Sequence, residues 1–365
     1  MNLLLTLSMD YHHESSTFQE NYSFGTIETA DRIFDQTRIR FYNEEGEILD
    51  SIIVKTAGIC EGFISPSIGF NYLYSPVKGT LTKRENALFR LDLLTGVYKT
   101  HKYDVGVHTI LADNINPNII FFIDYENYLI KWDDKNDQEI NRIKLSNYFY
   151  LHLQQDEQKI YFFGRFNENE YKYSVEKFYY LLIIDKNTLE IEKIIDFSDH
   201  GDGRMSSLIY KNQLFFTNSW KFTEPEGLIG NNILSALDLN SYQITDYFLQ
   251  EEFAHNIILY KDRLLINHNM LQAPQMKKIS TFDLNTHETK LYQLSGNNHY
   301  IFNQIAVQGD YLYFLDGFNL SKYDIENNFE EVAVYPAKMP IGDQKYPTFA
   351  NSSHVSAFFL NPKND

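Results

Sequence analysis

One segment recurs seven times along the 365 residues, and that recurrence bounds the fold more tightly than any other feature of the chain. Each copy is an alternating apolar strand ending in an acidic or amide residue, then a short polar turn, then a second alternating strand. In order the copies are Ile39-Arg40-Phe41-Tyr42-Asn43, Leu88-Phe89-Arg90-Leu91-Asp92, Leu129-Ile130-Lys131-Trp132-Asp133, Leu181-Leu182-Ile183-Ile184-Asp185, Leu234-Ser235-Ala236-Leu237-Asp238, Ile279-Ser280-Thr281-Phe282-Asp283 and Leu320-Ser321-Lys322-Tyr323-Asp324. Their last residues stand 49, 41, 52, 53, 45 and 41 positions apart, the spacing of one four-stranded propeller blade per repeat. In Asp185-Lys186-Asn187-Thr188, Asp238-Leu239-Asn240-Ser241 and Asp283-Leu284-Asn285-Thr286, side chains can bond the turn's own backbone. These turns join the third strand of a blade to its fourth.

A second element precedes each copy: a short apolar strand, a turn and an aromatic-rich strand. Leu208-Ile209-Tyr210-Lys211-Asn212-Gln213-Leu214-Phe215-Phe216 is one example, and Ile305 through Phe314, with its Gly309-Asp310 turn, is another. Both turns are hairpin signals, so these are first and second strands. Six blades are complete. For the seventh, Ser353 to Phe359 supplies a first strand without a successor, and Leu3 to Leu7 a second strand without a predecessor. Pairing them closes the ring and removes a free sheet edge. The expectation is an all-β, seven-bladed β-propeller, one domain over residues 1–365, with its closing blade shared by N- and C-terminal strands. The 27 Tyr and 28 Phe agree with a strand-rich chain, and no helical periodicity of useful length competes.

Leu182-Ile183-Ile184-Asp185-Lys186-Asn187-Thr188-Leu189-Glu190 resembles the repeat of YVTN and quinoprotein-like propellers. Arg204 to Tyr210 followed by Leu214-Phe215-Phe216 resembles a degenerate kelch repeat, as does Leu312 to Gly317 followed by Lys322 to Ile325. The kelch double glycine is missing throughout. The resemblance implies a fold, and a fold alone implies no function.

The formal net charge of −17 repels phosphate backbones and anionic headgroups, so nucleic acid and membrane surfaces are not expected partners. One cysteine, Cys60, excludes an intrachain disulfide. No run approaches the roughly 20 apolar residues of a membrane span. The opening Met1 to Leu7 lacks a basic region and a small-residue cleavage site. A cytoplasmic monomer is expected as the sequence stands, and an exported one if a leader has been trimmed.

In a propeller the first strand of each blade lines the central channel. Aligning the starts of these strands gives Glu61, His108, Tyr150, Ser206, His255, Asn303 and His354. Glu61, His108, His255 and His354 are a candidate set for a divalent metal ion, because neutral imidazole and carboxylate suit such ions. Propeller-fold carotenoid oxygenases and virginiamycin-lyase-like propellers are similar in having channel histidines. The competing reading is that these residues hydrogen-bond their neighbours at a wet channel mouth.

Long loops between second and third strands, such as 10–36, 165–178 and 218–230, are the other candidates. Tyr150, Arg204, Asn303, Trp220 and Tyr22 are expected ligand-binding residues on this loop face, with Phe18, Phe24, Tyr171, Tyr173 and Phe222 as further aromatic walls or as caps on the core. His12-His13-Glu14 and Asp199-His200-Gly201-Asp202 are polar loop clusters that can also be solvated turns. No phosphate loop, nucleophile elbow or zinc-finger spacing occurs. Two classes follow. One is a ligand-binding or interaction propeller taking a small molecule, peptide or glycan. The other is a metal-assisted lyase, isomerase or oxygenase.

Overall fold

The computed structural model describes residues 18, 20–30, 36–60, 66–79, 84–145, 148–166, 178–201, 206–223, 227–268, 275–298, 304–316, 319–336 and 353–364. They fall into two compact units, Met1–Arg142 with Ala337–Asp365, and Ile143–Pro336. In the first unit, β1 (Phe24–Ala30), β2 (Thr37–Tyr42) and β3 (Ile48–Val54) belong to blade 1. Blade 2 is β4 (Ser67–Gly69), β5 (Tyr72–Gly79), β6 (Arg84–Asp92) and β7 (Tyr98–Lys102). Blade 3 is β8 (Val107–Ala112), β9 (Ile119–Asp124), β10 (Tyr128–Asp133) and β11 (Gln138–Lys144).

The second unit holds blade 4, with β12 (Tyr148–Gln155), β13 (Lys159–Phe166), β14 (Phe178–Asp185) and β15 (Ile191–Asp196). Blade 5 follows with β16 (Ser207–Tyr210), β17 (Gln213–Thr223), β18 (Gly227–Asp238) and β19 (Ile244–Phe248). Blade 6 has β20 (Ala254–Tyr260), β21 (Arg263–His268), β22 (Gln275–Asp283) and β23 (Thr289–Asn298). Blade 7 has β24 (Gln304–Gln308), β25 (Tyr311–Leu315), β26 (Asn319–Asp324) and β27 (Glu330–Pro336). The last strand, β28 (Ser353–Leu360), completes blade 1 in the order β28-β1-β2-β3. Seven four-stranded sheets make the chain an all-β, seven-bladed β-propeller whose closing blade combines N- and C-terminal strands.

The strand that meets β28 differs from expectation. Its partner is β1, with Phe24 opposite Leu360, Gly25 opposite Phe359 and Thr29 opposite His354. Leu3 to Leu7 lie outside the described residues, and the segment read as loop supplies the second strand instead. The physical reason is that β1 buries polar side chains. Thr26, Glu28 and Thr29 are all enclosed, and Glu28 meets the Arg40 Nε of β2 at 3.3 Å. A strand that hides charge in this way does not show apolar alternation in its sequence.

The repeated Asp closes the third strand in six blades as expected, and Asn43 follows β2 in blade 1. Asp185 Oδ1 accepts from the Asn187 and Thr188 amides at 2.8 and 2.9 Å. Asp238 and Asp283 accept from the equivalent amides of Asn240 and Ser241, and of Asn285 and Thr286. These bonds favour the ionised carboxyl, and the Thr188 amide is the main cause holding Asp185 at about 2. The residue after each Ser or Thr then adopts a left-handed conformation, at Leu189 (φ 59°), Tyr242 (φ 59°) and His287 (φ 61°). Replacing Asp185 by alanine is expected to lower stability by about 1 kcal/mol, since two amides lose a charged acceptor at a site water can reach. Thermal unfolding of the variant tests this, and an unchanged Tm would exclude a stabilising turn.

Hydrophobic packing lies between neighbouring blades. Leu214 and Phe216 of β17 pack with Tyr161 and Phe163 of blade 4, while Phe215 between them packs with Leu264 and Ile266 of blade 6. Alternation thus sends successive apolar residues to opposite faces, both of them buried. This is why second strands read as continuous aromatic runs. The expected tight hairpins are present, with Lys211 (φ 53°) and Gly309 (φ 57°) each opening a two-residue turn.

Candidate functional site

Five of the seven aligned first-strand positions lie among the described residues. His108, His255 and His354 are the second residues of β8, β20 and β28, and Tyr150 is the third of β12. Ser206 immediately precedes β16. Glu61, Asn303 and Arg204 lie outside the described residues, as does the side chain of His354. His108 belongs to the first unit and His255 to the second. Among the described residues, no three His, Cys, Asp or Glu side chains stand together in a way that would hold an ion.

Each described first-strand histidine is held neutral. Burial pushes His108 down to about 4, with Lys78 adding to the effect, and its ring lies 4.4 Å from that of Tyr125. Burial likewise lowers His152 and His255 to about 4. His152 Nε2 is 2.9 Å from Ser207 Oγ, and Gln154 Nε2 donates to Ser207 O at 2.7 Å. Ser206 Oγ accepts from the Ile257 amide at 3.2 Å. Side chains therefore lace the first strands of blades 4, 5 and 6 to one another. His255 Nδ1 is enclosed and meets no hydrogen-bond partner among the described residues.

At the loop-side ends of blades 5 and 6 the second strands turn polar. Thr217, Asn218 and Ser219 on β17, and Asn267 and His268 on β21, are all buried. Such groups are tolerated because they are paired. Thr217 Oγ1 donates to His255 O at 2.7 Å, and Asn218 Nδ2 to Ser235 Oγ at 2.8 Å. His268 Nδ1 donates to Glu252 O at 2.8 Å, which leaves Nε2 to accept from Ser280 Oγ at 2.7 Å.

This polar layer pins the segment between β19 and β20. Leu249 N donates to Asn232 O at 2.8 Å, and Asn232 Nδ2 donates back to Leu249 O at 2.8 Å. Phe253 N donates to Asn231 O at 2.9 Å, Ser219 Oγ to Ala254 O, and Lys278 Nζ bonds Glu251. Phe253 is thereby held at φ 57°, a conformation that costs a bulky side chain about 1–3 kcal/mol and persists only where its surroundings impose it.

The Phe253 ring packs edge to face on Trp220, with centroids 4.9 Å apart at 74°. Trp220 stands opposite Gly230 across a bulge in the β17–β18 hairpin. A Cβ at Gly230 would lie 2.6 Å from the Phe253 ring and 2.5 Å from Glu252 Oε2. A side chain at this position would therefore require the Glu252 carboxylate and the Phe253 ring to shift. Trp220 and Phe253 are half-buried and Glu252 is exposed, so the group forms a surface platform. Gly230→Ala is expected to displace the Phe253 ring from Trp220 and lower the Tm modestly, because the ring edge and the Glu252 carboxylate must both move to admit the methyl group. A variant as stable as the parent would show the approach is not enforced.

Tyr22 does not belong to this face. It is 0% exposed, packs on Phe41 and Phe359, and donates its hydroxyl to Leu93 O at 3.0 Å. The expectation of a ligand contact is corrected to a core residue of the first unit. Phe18 packs against the same core and Phe24 stacks on Tyr42. His200 is also accounted for structurally, since its Nδ1 lies 2.8 Å from Asp246 Oδ2. Gly201 (φ 127°) supplies the close approach to Asn218 that this loop needs. Sequence reading missed Glu252, Phe253, Gly230 and the buried polar layer. The run Thr217-Asn218-Ser219 interrupting an aromatic strand was the available signal, but it reads equally as the start of a loop.

No family model matches the chain, and no curated protein matches it. Solved structures do. The dihydro-heme d1 dehydrogenase NirN in complex with DHE superposes with a TM-score of 0.57 at 10% identity, covering 95% of this chain and 76% of that one. A chain of the mitotic checkpoint complex gives 0.55 at 10% identity over 77% and 79%. The computationally designed Ika8 protein gives 0.53 at 9% identity over 93% and 96%. NirN and the checkpoint chain are β-propellers, and at these identities the likeness shows the fold alone.

Proposed function

We propose that the chain is a ligand-binding or interaction propeller that receives its ligand on the loop-side rim of blades 5 and 6. The observation that carries this reading is the Trp220–Phe253 pair over Gly230, two half-buried rings held by a backbone outlier at the end of an extended hairpin. Rigid scaffolds place recognition on such loops, and aromatic anchors dominate recognition energetics. Tyr150, Arg204 and Asn303 extend the reading along the same sequence-assigned face. A thermal-shift screen of peptides, oligosaccharides and small metabolites tests it. A ligand present at 100 times its Kd should stabilise the parent by about 2.7 kcal/mol and leave Trp220→Ala almost unmoved. A ligand that shifts both proteins equally would place recognition elsewhere.

One observation favours a second reading, metal-assisted chemistry in which His255 is a ligand. The enclosed ring nitrogen of His255 has no partner among the described residues, and its imidazole is neutral as metal ligation requires. Elemental analysis of purified protein tests this directly. Stoichiometric transition metal that is lost in His255→Ala supports the enzyme class, and trace metal in the parent retires it.

A further inference from the structure

We infer that the Trp220–Phe253–Glu252 platform takes an arginine or lysine side chain from a partner protein. The inference rests on the loop-face reading above and names the partner's chemistry. An edge-to-face pair leaves at least one ring with both faces uncovered by the other, and aromatic faces attract cations through the ring quadrupole. Glu252 supplies the matching charge. It is exposed, it lies against the Gly230 backbone beside the Phe253 ring, and no described side chain pairs with its carboxylate. Lys278, from the neighbouring strand β22, is already committed to Glu251. Two aromatic rings beside a carboxylate that pairs with no described side chain suit a guanidinium or ammonium group and oppose an anion. The whole chain reinforces the preference, since a net charge of −17 raises the local concentration of basic segments.

The platform is also preformed. His268 fixes the Glu252 carbonyl, Asn231 fixes the Phe253 amide, and Gly230 admits both residues to the hairpin. A partner would therefore meet a rigid site and lose little affinity to ordering it.

Trp220 is one of only two tryptophans. The other, Trp132, is buried in blade 3, and its Nε1 meets no hydrogen-bond partner among the described residues. Trp132→Phe therefore leaves Trp220 as the sole indole reporter without breaking a described hydrogen bond. The probe is a fluorescein-labelled peptide of alternating arginine and glycine, with lysine–glycine and glutamate–glycine counterparts. Binding is read by anisotropy in the parent and by Trp220 emission in the Trp132→Phe protein. The basic peptides should bind saturably and quench Trp220, and the acidic peptide should not.

Glu252→Gln should weaken binding about tenfold while retaining the parent Tm, because the carboxylate supports no described structural bond. Glu157→Gln, at an exposed turn of blade 4, should change binding little. Equal weakening by the two substitutions would reveal diffuse attraction to an acidic surface and overturn the inference. Binding of the acidic peptide at comparable affinity would also overturn it. So would the absence of saturable binding, and in that case the loop-face reading still stands or falls separately on the Trp220→Ala ligand screen.

Discussion

Replacing Asp316 by leucine is expected to lower the unfolding free energy by about 3–5 kcal/mol, the usual cost of stranding a buried charge. Asp316 follows β25 and Lys277 lies on β22, so the pair ties blade 7 to blade 6. Lys277 Nζ lies 2.9 Å from Asp316 Oδ2, with both side chains only 2% exposed. The ammonium also donates to Ser321 Oγ at 2.9 Å and Tyr323 Oη at 3.3 Å. Asp316 Oδ1 accepts from the Asn319 amide at 2.7 Å, which fixes the turn into β26. Losing the carboxylate alone leaves the ammonium among hydroxyls and the Phe314 ring, with no counter-charge among the described residues. The double replacement Lys277→Met with Asp316→Leu removes both charges and should cost less than Asp316→Leu alone. Urea denaturation of the parent, both single variants and the double variant measures the coupling. A single variant within about 1 kcal/mol of the parent would mean the pair is solvated rather than buried.

The sequence carried the architecture because its signals are local and repeated. Asp92, Asp133, Asp185, Asp238, Asp283 and Asp324 each end a third strand and bond their own turns. Those bonds reach only two or three residues along the chain, so spacing alone reveals them. What the sequence concealed depends on partners distant along the chain. Glu28 inside β1 becomes intelligible only beside Arg40, and Lys277 only beside Asp316. Read alone, each is a charged residue that belongs at the surface, so neither the β1 strand nor the blade 6–7 pair is visible in the sequence. Tyr22 failed in the opposite direction. An aromatic near a polar loop resembles a binding wall, whereas its hydroxyl is satisfied by a carbonyl 71 residues away. The candidate platform was half legible. Trp220 is legible as an aromatic on a long loop, but Phe253 and Glu252 reach it through a left-handed residue and past a glycine, which composition does not distinguish from any other loop.

Lowering the pH from 7 to about 4.5 is expected to weaken the second unit by about 2–3 kcal/mol through His268 alone. His268 is 3% exposed, and burial is the main cause that lowers it from 6.5 to about 4. In the unfolded chain the same imidazole takes a proton near 6.5. Between these values the unfolded state binds more protons than the folded one, so stability falls as pH falls. The contribution is fully present above 6.5 and is lost as pH descends through about 4. His152 and His255 shift in the same direction but retain some exposed surface, so they add less than their lowered values would imply. The turn carboxylates act in a lower window. Asp185, held at about 2, keeps its charge until well below pH 4, and Asp238 and Asp283 are lowered by their own turn amides. The two effects therefore separate along the pH axis. The decisive variant is His268→Gln, whose amide can donate to Glu252 O and accept from Ser280 Oγ without titrating. Urea midpoints of this variant should fall less between pH 7 and 4.5 than those of the parent, while both proteins weaken alike below 4. If the variant and parent lose stability in parallel across the upper window, the buried histidine is not the source of the acid sensitivity.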